Sequence, residues 1–184
     1  MRGRAAACLL VLAALLGALG AAPARAEGVE LSHLSLQRLD AGLSLDFNIR
    51  VALPPVVEDA LQRGVPMYFV AEARVLRSRW YWRDQRVTRA TRSWRLSYQP
   101  LSDSWRVSLG GLAQSHATLA EALVALSSSA RWKIADNSQI EPDERYYVEF
   151  SYKLDTSQLP GPMQFGIGGQ ADWTLVVERT IKVE

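Results

Sequence analysis

Residues 42–53 alternate apolar and polar side chains without a break. Leu43, Leu45, Phe47, Ile49, Val51 and Leu53 fall on one side; Ser44, Asp46, Asn48, Arg50 and Ala52 fall on the other. A period of two fits a strand with one buried and one solvated face, and it fits no helix. Residues 29–38 predict a weaker partner strand, joined through the turn-like triplet Asp40-Ala41-Gly42. A chain that starts this way is committed to sheets, so the remaining segments are read for more strands.

They supply them. Residues 66–79 and 86–99 predict the two long strands of a hairpin, with Trp80 to Gln85 at its tip. Residues 103–109 predict another strand, with Trp105, Val107 and Leu109 inward, ended by Gly110-Gly111. Residues 145–155 and 172–184 close the chain as strands, with Arg179 out of pattern. Between them, 156–171 holds Pro160, Pro162 and several glycines and predicts a long crossing loop.

Two helical stretches interrupt the strands. Val56, Ala60 and Leu61 sit at helical spacing before Gly64 and Pro66, a good stop. Thr118 and Glu121 match a capping box, and Leu119, Ala122, Leu123 and Leu126 recur on one helical face. Trp132 and Ile134 are expected to pack near that helix. About seven strands with one or two short helices predict a mainly β fold: an antiparallel β-sandwich, immunoglobulin-like, or an incomplete barrel. Alternating β-α-β units are absent, which argues against a doubly wound fold.

The N-terminus reads as an export signal. Arg2 and Arg4 precede an apolar run centred on Leu9 to Leu19, and Ala24-Arg25-Ala26 ends it. That pattern predicts a cleavable signal peptide over 1–26 and a single domain over 27–184. An uncleaved anchor is the alternative, since the run approaches the ~18 residues needed to span a bilayer. The expected location is the periplasm, with no membrane span after cleavage.

Cleavage reverses the charge. The full chain has 21 basic and 19 acidic residues, a net charge of +2. Losing Arg2, Arg4 and Arg25 leaves 18 against 19, a net charge of −1. A general nucleic-acid binder should be basic as a domain, so no nucleic-acid partner is expected. Cys8 is the only cysteine and lies in the signal, so the mature chain has no thiol for disulfides, catalysis or zinc.

Catalytic groups are sparse. His33 and His116 stand far apart, and Ser115 beside His116 is not a nucleophile–base pair by adjacency alone. No nucleophile elbow, zinc-binding helix motif or phosphate loop is present. Glycines 166, 168 and 169 lack the strand-to-helix setting of a dinucleotide loop. Asp136 and Asn137 lack the spaced acids of a calcium loop. No metal, no cofactor and no enzymatic activity are expected.

One stretch stands out. Arg74, Arg77, Arg79, Arg83, Arg86, Arg89, Arg92, Arg95 and Arg106 face only Asp84 and Asp103 within the same stretch, with Trp80, Tyr81, Trp82, Trp94 and Trp105 interleaved. Arginine forks suit phosphate or carboxylate, and aromatic rings suit anchoring. The plainer reading is a solvated face that protects an edge, and a high-G+C coding bias would also favour arginine over lysine. Strand parity splits these arginines between faces unless a bulge reorients some of them: Arg86 and Arg92 fall with Trp94, and Arg89 and Arg95 fall opposite. The tip is the sharper candidate, because three consecutive aromatics in a turn are hard to bury together. Trp80, Tyr81, Trp82 and Arg83, with Arg77 and Arg79 beside them, are the candidate partner- or ligand-binding residues.

Five segments occur in order: Arg63-Gly64-Val65-Pro66-Met67-Tyr68-Phe69-Val70, Arg79-Trp80-Tyr81-Trp82, Arg95-Leu96-Ser97-Tyr98, Ser108-Leu109-Gly110-Gly111-Leu112 and Leu154-Asp155-Thr156-Ser157-Gln158-Leu159-Pro160. Together they resemble a family of exported proteobacterial proteins, domain of unknown function 4390. The resemblance carries over no catalytic residue. It implies a cell-envelope role linked to signalling, with a membrane histidine kinase as a candidate partner. The expectation is therefore a non-enzymatic envelope module that binds a protein partner. The alternative is a module for an anionic envelope ligand, such as a lipid head group, a glycan or a cell-wall fragment.

Overall fold

The computed structural model describes residues 28–81, 83–159 and 173–183. The expected signal peptide, Trp82 and all but the first residues of the 156–171 crossing lie outside them. Among the described residues are nine strands and two α-helices, arranged as two antiparallel sheets with no closed barrel. The mainly β sandwich read from the sequence is the fold, with two more strands than the expected seven.

The smaller sheet holds β1 (Gly28–Leu39), β2 (Gly42–Ala52) and β7 (Ser128–Asp136), with β2 central. The larger sheet has the order β6-β5-β4-β3-β8-β9. Its strands are β3 (Met67–Arg77), β4 (Gln85–Gln99), β5 (Ser104–Leu109), β6 (Leu112–His116), β8 (Tyr146–Leu154) and β9 (Val176–Lys182).

The alternation in β2 holds from Leu45 to Arg50, while Ser44, expected on the wet face, is buried. Leu43, Leu45, Phe47 and Ile49 are buried, and Asn48 and Arg50 are exposed. Phe47 crosses to the larger sheet. Its ring lies 5.0 Å from Phe150 and within 6.2 Å of Trp94, Trp132 and Tyr152. Both sheets therefore share one core, which also takes in Phe69, Met67, Leu96, Val148 and Leu154.

Helix α1 (Pro55–Gln62) begins with proline at its first turn, where the missing N–H costs nothing, and buries Val57, Ala60 and Leu61. It ends at Gly64, whose φ of +86° favours glycine. Helix α2 (Leu119–Leu126) makes the Thr118 half of the expected capping box, while its Glu121 carboxylate reaches back to the residue before the cap. The Glu121 amide donates to Thr118 Oγ1 at 3.2 Å, and the Glu121 carboxylate accepts from the Ala117 amide at 3.1 Å. The Tyr152 hydroxyl donates to the last carbonyl of α2, that of Leu126, at 3.1 Å.

The two unexpected strands are β6 and β7. In β7 the pairing with β2 shifts between Leu43 and Ser44 and again between Leu45 and Phe47, and Arg131 has a φ of +48°. These bulges bury Ile134 and Ala135 side by side and erase the two-residue period. β6, Leu-Ala-Gln-Ser-His, has no apolar alternation to read. Gly110-Gly111 does not end the sheet. It forms a two-residue hairpin loop, with Gly110 at φ +58°, that turns the chain back into β6.

Candidate functional site

The hairpin of β3 and β4 is paired from Met67–Leu96 to Arg77–Gln85. Its register slips between Val75 and Leu76: Val75 faces Thr88 and Leu76 faces Arg86, so Val87 is the extra residue. Val87 turns inward and packs on the core, and Arg86 turns outward. Parity alone places Arg86 with Trp94, and the bulge corrects that. Arg74, Arg86, Arg89, Arg95 and Arg106 thus share the outer face of the larger sheet. Arg77 and Arg92 fall on the other side. Arg92 donates to Ser129 Oγ at 2.5 Å and lies 5.5 Å from the centre of the Trp132 ring. Burial lowers its pKa below the usual arginine value.

Charge on that outer face divides by strand. On the β3, β8 and β9 side, acids answer the arginines. Arg74 contacts Glu149 at 3.1 Å and Glu72 at 3.5 Å, and Arg89 contacts Glu72 at 2.6 Å. An open cleft of about 340 Å³ there, lined by Arg74, Glu149, Ser151, Glu178, Arg179 and Thr180, is already of mixed charge. On the other side, β4, β5 and β6 contain no acid at all. Arg86, Arg95 and Arg106 make no ion pair among the described residues.

The tip is held from below. The Tyr147 hydroxyl on β8 donates to Asp84 Oδ2 at 2.5 Å, and the Arg79 amide donates to Asp84 Oδ1 at 3.1 Å. The Arg79 guanidinium also donates to the Gln85 side chain. Arg77 is not free: it is half-buried and pairs with Glu144 at 2.6 Å and Glu141 at 3.1 Å. Those acids come from the β7–β8 connection, 64 and 67 residues on, so the acids within the hairpin understate how much of its charge is paired.

Above this base, Trp80 is 93% exposed and Tyr81 is 68% exposed. Their rings meet edge to face at 5.0 Å. Arg83 is also exposed. The structure thus brings Arg77, Arg79, Trp80, Tyr81 and Arg83 to one end of the sandwich, with the first two bound into the base. Trp82 lies outside the described residues.

The base gives a pH prediction. The Tyr147 hydrogen bond holds Asp84 below the usual carboxylate range, helped by the Arg79 amide, and the same bond pushes Tyr147 up to about 12. A depressed acid contributes above its unfolded pKa, ~3.9, and loses that contribution as pH falls through the folded value. A raised tyrosine contributes below its unfolded pKa, ~10, and loses it as pH climbs to about 12. The clasp therefore holds between those limits. Ultraviolet titration is expected to find a tyrosine at about 12 that disappears in Tyr147→Phe. Loss in that variant of a tyrosine titrating near the ordinary ~10, instead of the one at about 12, would refute the clasp.

Other candidates do not assemble. Ser115 and His116 project from opposite faces of β6, as successive strand residues must, so they form no dyad. His116 lies opposite Trp105, and its Nε2 is buried without a hydrogen-bond partner. The His33 ring contacts Ser35 Oγ at 3.1 Å. The Asn137 amide donates to the carbonyls of Leu39 and Asp40. No three His, Cys, Asp or Glu side chains gather as a metal site among the described residues. No described helix is long and apolar enough to cross a membrane.

The architecture is that of a two-sheet antiparallel β-sandwich with an aromatic hairpin tip beside an arginine-bearing face. The chain belongs to the family described as domain of unknown function (DUF4390), whose family model matches residues 26–182. Neither a curated protein nor a solved structure matches it.

Proposed function

We propose that this chain is a non-enzymatic interaction module of the cell envelope, exported through residues 1–26, and that the Trp80–Tyr81 tip is its contact point. The observation that carries the reading is the exposure of two adjacent aromatic rings on a clasped base. Exposed apolar clusters of this kind mark contact sites, and tryptophan, tyrosine and arginine dominate interface energetics. Burying each ring is worth about 1.5–3 kcal/mol. The partner is an envelope protein, and a membrane histidine kinase is the class that the family resemblance suggests.

The expected result is specific. Replacing Trp80 and Tyr81 together with alanine weakens partner binding by about 100-fold or more. Unfolding free energy changes by less than about 0.5 kcal/mol, because neither ring packs on the core. Affinity measured on the partner recovered from cells tests this. Undiminished binding by the double variant would remove the tip from the account.

A second reading has its own support. The acid-free half of the outer face, with Arg86, Arg95 and Arg106 unpaired, suits an anionic envelope ligand. Such binding weakens as salt rises, because exposed charges are screened within ~10 Å at 0.1 M. Binding through the tip rings changes much less with salt.

A further inference from the structure

Among the described residues the two sheets have four edges, and three of them are guarded. β9 carries Glu178, Arg179 and Lys182 along its length. β1 carries Glu30 and Arg38 and a register shift between Leu31 and His33. β7 carries Arg131 and Lys133 and two register shifts. Charges and bulges are how proteins keep an edge from pairing with another chain. β6 has neither. Leu112, Ala113, Gln114, Ser115 and His116 include no charge and no proline, and the pairing with β5 runs without a shift. Leu112 is 77% exposed, and Ala113, Gln114 and Ser115 are exposed too.

The free backbone groups can be assigned. In a two-residue hairpin the flanking pair, Leu109 with Leu112, is hydrogen bonded. Alternation then turns the N–H and C=O of Ala113 and Ser115 away from β5. No described residue bonds them. The side chains of Ala113 and Ser115 lie on the outer face, opposite Ser108 and Arg106. Arg95 is paired with Ser108 and so sits diagonally from Arg106. Both arginines lack an ion pair among the described residues, and the residues between them and the edge are small.

We propose that the β6 edge accepts an extended segment of a partner protein as a seventh strand, with acidic side chains at alternate positions. Backbone bonds to Ala113 and Ser115 provide the attachment, the mode by which sheet edges recognise peptides. An acidic residue opposite Ser115 lies two strand spacings, roughly 10 Å, from Arg106. An arginine and a glutamate reaching toward each other over the small Ser115 span that gap. Residues of the incoming strand on the other face cover Leu112. This inference does not rest on the tip and survives its loss.

The probe is a nine-residue peptide of alternating valine and glutamate, with lysine replacing glutamate in the control. Binding to the purified full chain is followed by fluorescence anisotropy, and amide hydrogen exchange reports on β6. The glutamate peptide is expected to bind at least tenfold tighter than the lysine peptide. It should slow exchange at Ala113 and Ser115 but not at Gln114, whose amide already bonds β5. Ser115→Pro removes an outward N–H that the hairpin does not use, and it should weaken binding at least tenfold. Arg106→Glu leaves the backbone intact and should reverse the peptide preference, so the test survives a misfolded proline variant. Equal binding of both peptides, or no binding, would overturn the proposal. So would loss in Arg106→Glu without loss in a folded Ser115→Pro, which marks a face that takes free anions. Concentration-dependent dimers abolished by Ser115→Pro would overturn it in favour of a second copy of the chain.

Discussion

Replacing Phe47 with alanine is expected to lower the free energy of unfolding by about 3–5 kcal/mol. Phe47 is the β2 residue that touches Trp94, Phe150 and Tyr152 of the larger sheet as well as Trp132 of its own. Its removal forfeits the transfer free energy of the ring and leaves a cavity lined by aromatic groups. Trp94, Phe150 and Tyr152 stand on strands pinned by two neighbours and cannot collapse into that space, which puts the cost toward the upper part of the range. Urea denaturation of the variant beside Trp80→Ala measures it. Trp80 is a larger aromatic on the same molecule but packs on no core residue, so its loss should cost less than about 0.5 kcal/mol. A Phe47→Ala penalty below about 1 kcal/mol would mean the two sheets do not close on this ring.

Gly42→Ala is expected to destabilise by about 2–4 kcal/mol, from backbone strain and overpacking together. Gly42 opens β2 at a φ of +132°, a conformation that side chains rarely adopt. It also lies against β7, and an added Cβ would overlap the Ala135 carbonyl oxygen and press on the Asp136 Cα. Backbone cannot swing aside as a side chain can, so β2 and β7 must part where their pairing begins. Gly111→Ala is the matched control. Its Cβ would meet nothing within 4 Å, and its φ lies outside the positive range. That variant should stay within about 1 kcal/mol of the parent. Equal effects of the two substitutions would contradict the close approach at Gly42.

How much of this was readable in advance depended on whether a local pattern was allowed to stand. β2, β3, β5 and β8 keep a two-residue period, and β4 keeps one beyond its bulge at Val87, because one face of each meets the shared core, so composition and alternation suffice to find them. β7 does the same work in the core through Trp132 and Ile134, yet its bulges against β2 scramble the period. β6 buries almost nothing and leaves no hydrophobic signal. It exists because a two-glycine turn feeds it back along β5, a cue that reads equally well as a stop.

The tip was visible for a different reason. Three aromatics in a row between two strands are conspicuous wherever they fall, and the structure leaves Trp80 and Tyr81 exposed. What holds them there was not visible. Tyr147 and Glu144 reach the hairpin from more than sixty residues away, and no spacing rule links them to Asp84 and Arg77. The same limit applies to the arginine face, since a single bulge at Val87 moved Arg86 from one side of the sheet to the other.

The central claim is that the tip is where this protein meets its partner. A photo-crosslinking amino acid in place of Tyr81 tests it in intact cells, against the same group in place of Leu101. Leu101 is a fully exposed apolar residue in the β4–β5 turn, at the far end of β4 from the tip. The account predicts one reproducible envelope-protein adduct from position 81, absent from position 101 and lost when Trp80 is also alanine. Identical adducts from both positions, or none from position 81, would contradict it.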